Sequence, residues 1–148
     1  MKTIFDKKTR DEIISRIHLL NENSSRQWGK MNVYQMLKHC VLCEEMYLGK
    51  RTYKRAFIGR LFGRIGLKRL LKEDQPLQQN APTGRAFIVT ETNGDIAAEK
   101  AKWIALIEAY AHYSNNNFVH WFFGKMTKEQ VGYFVYKHTD HHLRQFGV

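Results

Sequence analysis

The sequence offers little that would hold together a secreted or membrane-spanning protein. It has only two cysteines, Cys40 and Cys43, so there is no disulfide framework and no argument for an oxidising compartment. Long hydrophobic runs are missing: the apolar clusters are short and broken by Lys or Arg, and the opening residues MKTIFDKKTRDE lack the apolar stretch and cleavage signature of an export signal. A soluble, cytoplasmic protein is expected. Proline is scarce as well, and both prolines, Pro76 and Pro82, fall between Gln75 and Gly84, which marks that stretch as irregular connection. Acid is absent from residues 50–72, where nine of the 24 basic residues sit (Lys50, Arg51, Lys54, Arg55, Arg60, Arg64, Lys68, Arg69 and Lys72). The remaining 15 bases nearly balance the 14 acids, so the net charge of +10 is a local patch and not a property of the whole surface.

What is present is a globular composition. At 148 residues, 43% hydrophobic and 13% aromatic, the chain is large enough to bury a core and too short for two, so residues 1–148 are read as one domain. Thr9 stands three residues before Glu12 in a capping-box pattern, followed by Ile13, Ile14, Ile17 and Leu20 at helical spacing. A second cap at Asn32 with Gln35 opens a helix that places Met36, Cys40, Cys43 and Tyr47 on one face and ends at Gly49. Phe57, Ile58, Leu61, Phe62 and Ile65 form a short apolar stripe interrupted by Gly59, Gly63 and Gly66, read as a weak helix. Ala86 to Thr90 has extended character but no obvious partner strand. Asn93 to Asp95 starts a third long helix through Ala111, and Thr127 with Gln130 caps the last one. Four long amphipathic helices and no credible sheet predict an all-α fold, a four-helix bundle. Short links join the first pair and the last pair, and the long basic crossover between helices two and three is long enough to traverse the bundle, which predicts up-down-down-up topology.

On the last helix, at about 100° per residue, Val131, Phe134, Val135, His138 and His142 share the inward face while Lys137, Asp140 and Arg144 point away. Two histidines one turn apart present imidazoles side by side, the arrangement by which a rigid element supplies two metal ligands. The same spacing also arises where histidines simply pack in a core. His39, on the core-facing stripe of another helix, can stand opposite the pair. Three neutral imidazoles suit zinc, nickel, iron or manganese and leave a coordination position open, where a bound water or thiolate becomes the nucleophile near neutral pH. His141 lies about 60° off the pair and is read as supporting the site or as surface. His120, in the loop before the last helix, is a candidate to orient a ligand or touch substrate, with loop packing as the competing role. No catalytic base is identified: Glu44 and Glu45 read as a solvated helix edge. Cys40 and Cys43 lie mid-helix, where nothing lowers a thiol pKa, so core packing is favoured over redox chemistry.

The stretches WGKMNVYQMLKHC (Trp28 to Cys40) and HWFFGKMTKEQVGYFVYKHTDHHLRQFGV (His120 to Val148), with the HxxHH ending followed by Arg-Gln, resemble the DinB-like superfamily, specifically an uncharacterised bacterial branch. That resemblance implies an up-down-down-up four-helix bundle, often dimeric, holding a divalent metal on three histidines. By motif position these are His39, His138 and His142. Some relatives are metal-dependent S-transferases for low-molecular-weight thiols, others hydrolases or isomerases. Trp121 departs from the pattern, which has proline after the histidine, and this loosens any role carried over to His120. The expectation is a metal-dependent enzyme acting on a small thiol or an anionic compound, as a homodimer. The alternative is a non-catalytic stress or binding protein whose basic stripe contacts nucleic acid or anionic membrane. Neither of those partners is favoured on sequence, because the stripe is broken by glycines and carries no nucleic-acid motif, and a solvated cover over the bundle explains it as well.

Overall fold

A computed structural model describes residues 1–72 and 75–148. Among these residues the chain is mostly helical: α1 (Lys7–Leu19), α2 (Val33–Tyr47), α3 (Phe57–Lys72), α4 (Ile96–Ala109) and α5 (Lys128–Gln145), with a two-stranded antiparallel ladder of β1 (Val119–His120) and β2 (Gly124–Lys125). α2 packs on α4 and α5, and α1 packs on the same two helices. Between them lies one cluster of buried side chains in which Ile13, Ile17, Met36, Leu37, Trp103, Ile107, Val135 and Leu143 are almost completely enclosed. Each such residue contributes roughly 1.5–3 kcal/mol relative to exposure, which is the main force holding the helices together.

Local chemistry explains most boundaries. Asn32 and Gln35 form a reciprocal capping box at the start of α2, and Thr127 and Gln130 form another at α5. Asp95 accepts from the Ala98 amide at 2.9 Å to start α4. The expected box at Thr9 does not form. Thr9 is buried inside α1, and the chain enters helix earlier, at Asp6, whose carbonyl accepts from the Arg10 amide while the Arg10 guanidinium holds the carbonyls of Ile4 and Phe5. The segment Ala86 to Thr90 is not a strand; it begins in a single 3-10 turn, Arg85–Phe87, that drops Phe87 into the core. The loop Phe118 to Met126 holds the short ladder, closed by Gly124 at φ +87°, a left-handed conformation that favours glycine.

The helix read as weak is instead 16 residues long and faces the other way from a core helix. Its packed side carries Gly59 and Gly63. A Cβ on either would stand only 2.5 or 2.2 Å from the Phe122 carbonyl oxygen, so backbone meets backbone there. The Ala56 amide donates to Trp121 O at the head of α3, and Lys137 from α5 donates to Leu70 O near its end, 2.8 Å away. Thus Lys137, expected at the surface, is buried, with its Nζ on a carbonyl near the C-terminal end of α3.

Candidate metal centre

α2 and α5 bring three histidines together. Ring centroids are 4.8 Å apart for His39 and His142, 4.7 Å for His138 and His142, and 5.5 Å for His39 and His138. One nitrogen from each lies within 4.8 Å of the other two. Three nitrogens about 2.1 Å from a tetrahedral ion stand about 3.4 Å apart, so the cluster would have to contract to hold one.

The hydrogen bonds fix which nitrogens face inward. A backbone carbonyl only accepts, so His39 Nδ1, 2.9 Å from Phe87 O, carries the proton and leaves Nε2 as a lone pair. Gln145 Nε2 donates to Trp28 O at 3.0 Å, which fixes the amide orientation and leaves Gln145 Oε1 to accept from His142 Nδ1 at 2.9 Å. His142 Nε2 is therefore unprotonated as well. His138 Nδ1 is enclosed and makes no hydrogen bond, although its ring is only half-buried among Tyr47, Phe134 and the other two histidines. All three rings are held below the ordinary histidine pKa, first by burial and then, for His138 and His142, by the neighbouring imidazoles. Neutral imidazoles, those of His39 and His142 oriented by carbonyl-type acceptors with Nε2 unprotonated, have the donor chemistry that suits a divalent metal, although the His39 Nε2 lone pair also faces the Cys43 thiol.

Gln145 stood in the sequence only as part of the Arg-Gln ending and was given no role, though it lies three residues after His142 on the same helix face. It also accounts for the Trp-Gly pair. Trp28 supplies the carbonyl, while Gly29 has φ +82° and would put a Cβ 2.5 Å from Gln145 Nε2. The Phe87 carbonyl, delivered by the crossover, had no signal in sequence at all.

His120 is buried in β1, and its Nδ1 accepts from the amides of Phe122 and Phe123 at 3.1 and 3.2 Å. Its ring stacks on Phe123 and Tyr47, and burial first, with Arg55 second, pushes its pKa down to about 3. It is a neutral anchor of the turn. His141 packs edge-on against Trp28 and His142 without touching the His39 ring. Cys43 Sγ is 3.7 Å from His39 Nε2, but burial drives the Cys40 and Cys43 pKa values well up, so both are neutral thiols packed in the core.

Glu44 overturns its reading as a solvated edge: it is completely buried, accepting from Tyr110 and, at 3.1 Å, from Thr139. Burial raises its pKa to about 7 against the downward pull of those two hydroxyls. His18 and His112 lie at the surface.

The profile of a family described as "Protein of unknown function (DUF1569)" matches residues 4–147. The chain belongs to the DUF1569 family. That match runs from before α1 to the end of α5, so it takes in the histidine cluster, Gln145 and Gly29 of this DUF1569 chain together. No curated protein and no solved structure matches it.

Proposed function

We propose that this DUF1569 protein is a divalent-metal-dependent enzyme related to the DinB-like superfamily, with α1, α2, α4 and α5 forming an up-down-down-up bundle around a site made by His39, His138 and His142. The observation that carries the reading is the pair of oriented imidazoles. Phe87 O and Gln145 Oε1 each accept a hydrogen bond from an Nδ1–H, which leaves Nε2 of His39 and of His142 unprotonated in a cluster whose ligand nitrogens lie within 4.8 Å of one another. Histidines that merely filled a core would have no need to be held in one tautomer around a shared centre. Zinc, nickel, iron or manganese fits this donor set, and such an ion supplies Lewis acidity to a small ligand.

The chain's own residues do the rest. Tyr47, Phe87 and Phe134 wall the site with apolar surface and limit water around the imidazoles. His138, the half-buried ligand, marks the side from which substrate approaches. The proposed chemistry is transfer or hydrolysis on a low-molecular-weight thiol or an anionic compound, with the protein working as a homodimer. The test is to reconstitute the purified protein with each candidate metal and follow the loss of a free small thiol in the presence of a soft electrophile. Metal-dependent turnover that His138→Ala abolishes supports the reading. Turnover equal to that of the metal-free protein, for every metal and thiol tried, defeats the transferase assignment while leaving the metal site to be judged by metal content.

A further inference from the structure

α3 turns its large apolar side chains away from the protein. Phe57, Ile58, Leu61, Phe62 and Ile65 are all between 58% and 75% exposed, most of the strongly exposed large hydrophobic residues among those described. At about 100° per residue they cover an arc of about 140° on the side opposite Gly59 and Gly63. The reason is the glycine contact: a helix that docks through bare backbone on Phe122 has its side chains left over for the outside. Five contiguous exposed hydrophobic residues on one helix have a solvation cost that an ordinary solvated cover does not explain.

The charges on this helix have one sign. Arg60, Arg64, Lys68, Arg69 and Lys72 lie within it, no acid does, and among the described residues none of these cations is in an ion pair. Arg60 and Arg64 flank the apolar arc, while Lys68 and Lys72 continue its outward direction along the later turns. Beside them a cleft of about 580 Å³ opens between α3 and the start of α5, lined by Arg64, Lys68, Lys72 and Lys125 with Gln130 and aliphatic side chains. No helix among the described residues is long and apolar enough to cross a membrane.

We propose that the outward face of α3 docks on an anionic lipid bilayer. The N-terminal turns insert Phe57, Ile58, Leu61, Phe62 and Ile65 into the headgroup and acyl boundary, and the cations beside and after them meet lipid phosphates, the cleft receiving a headgroup. An interfacial helix combines apolar and cationic surface in this way. A nucleic acid would satisfy the cations and leave Ile58, Leu61 and Ile65 in water. A second copy would cover the apolar arc but bring only more positive charge to it. Of the glycines that argued against this partner on sequence, Gly59 and Gly63 lie on the packed side and Gly66 at its edge beside Phe122 and Phe123, so they do not interrupt the exposed face. The inference stands whether or not the histidine site holds a metal.

The experiment is co-sedimentation of the intact protein with vesicles of phosphatidylcholine containing phosphatidylserine, and with pure phosphatidylcholine vesicles. Binding is expected to the anionic vesicles, falling steeply with added salt. Leu61→Asp with Ile65→Asp should reduce it at least about tenfold with no change in melting temperature, since both positions are exposed. Lys68→Glu with Lys72→Glu should remove the preference for anionic lipid. The proposal is overturned if the protein ignores anionic vesicles, or if the Leu61 and Ile65 substitutions leave vesicle binding intact. It is equally overturned if those substitutions instead dissociate a lipid-free dimer, or if nucleic acid is bound and the apolar substitutions have no effect on it.

Discussion

Replacing Glu44 by Gln should change how stability depends on pH, in a direction opposite to that of most carboxylates. Glu44 is fully enclosed, and its pKa rises from the ordinary 4.5 to about 7 on folding. Between those values the folded state holds a proton that the unfolded state has released, so the unfolding free energy falls as pH rises through the window. The contribution of the neutral acid is fully present below pH 4.5 and is lost by pH 7; at 1.36 kcal/mol per unit the difference amounts to about 3 kcal/mol. Gln keeps the shape and an oxygen for Tyr110 or Thr139 but has no proton to lose. The buried histidines lose stability on acidification over part of the same range, so the wild-type profile alone is a mixture. Subtracting it from that of Glu44→Gln cancels them. Urea unfolding at a series of pH values should show the variant gaining about 3 kcal/mol on the wild type between pH 4.5 and about 7, with no further gain above. Parallel profiles would refute the burial argument, because they would mean that Glu44 titrates identically in the folded and unfolded chains.

Three other outcomes follow from the same contacts. Gln145→Leu should weaken metal binding by roughly 10- to 100-fold in a chelator competition, because the His142 Nδ1 proton loses its acceptor while all three ligands remain. Gly63→Ala, whose Cβ would sit 2.2 Å from Phe122 O, should destabilise the fold or detach α3, whereas Gly66→Ala, with nothing nearer than 3.7 Å, should be neutral or raise stability by up to about 1 kcal/mol; thermal melts of the pair separate a backbone contact from a helix-propensity effect. His120→Phe should cost about 1–3 kcal/mol at neutral pH by removing the acceptor of two half-buried turn amides, those of Phe122 and Phe123. It should also flatten the acid limb: with a folded pKa of about 3, His120 stabilises the wild type above pH 6.5 and loses that contribution, up to about 5 kcal/mol, as pH falls to 3.

The parts of the fold that were legible in sequence are those governed by neighbours in the chain. Asn32 with Gln35, and Thr127 with Gln130, announced two helix starts because a capping box is closed within four residues. The inward face of α5 was readable for the same reason, except at Lys137, whose partner is a carbonyl 67 positions away. α3 was read as weak because glycines interrupt its apolar stripe, whereas Gly59 and Gly63 are the surface through which it packs. Glu44 was misread because the hydroxyls that make its burial tolerable come from Tyr110 and Thr139 on other elements. At the site, His138 and His142 were visible as an i, i+4 pair and His39 as a third imidazole on a core stripe. The orientation of His39 depends on Phe87 O, which only the path of the crossover could reveal.

Whether His39, His138 and His142 form one divalent-metal site is decided by the metal content of the protein. The purified protein, loaded with excess metal and desalted, should retain one divalent ion per chain by elemental analysis. Single alanine substitutions at His39, His138 or His142 should each abolish retention, and His18→Ala and His112→Ala, at the surface, should leave it unchanged. No retained metal in the wild type, or equal retention in the three ligand variants, would contradict the account.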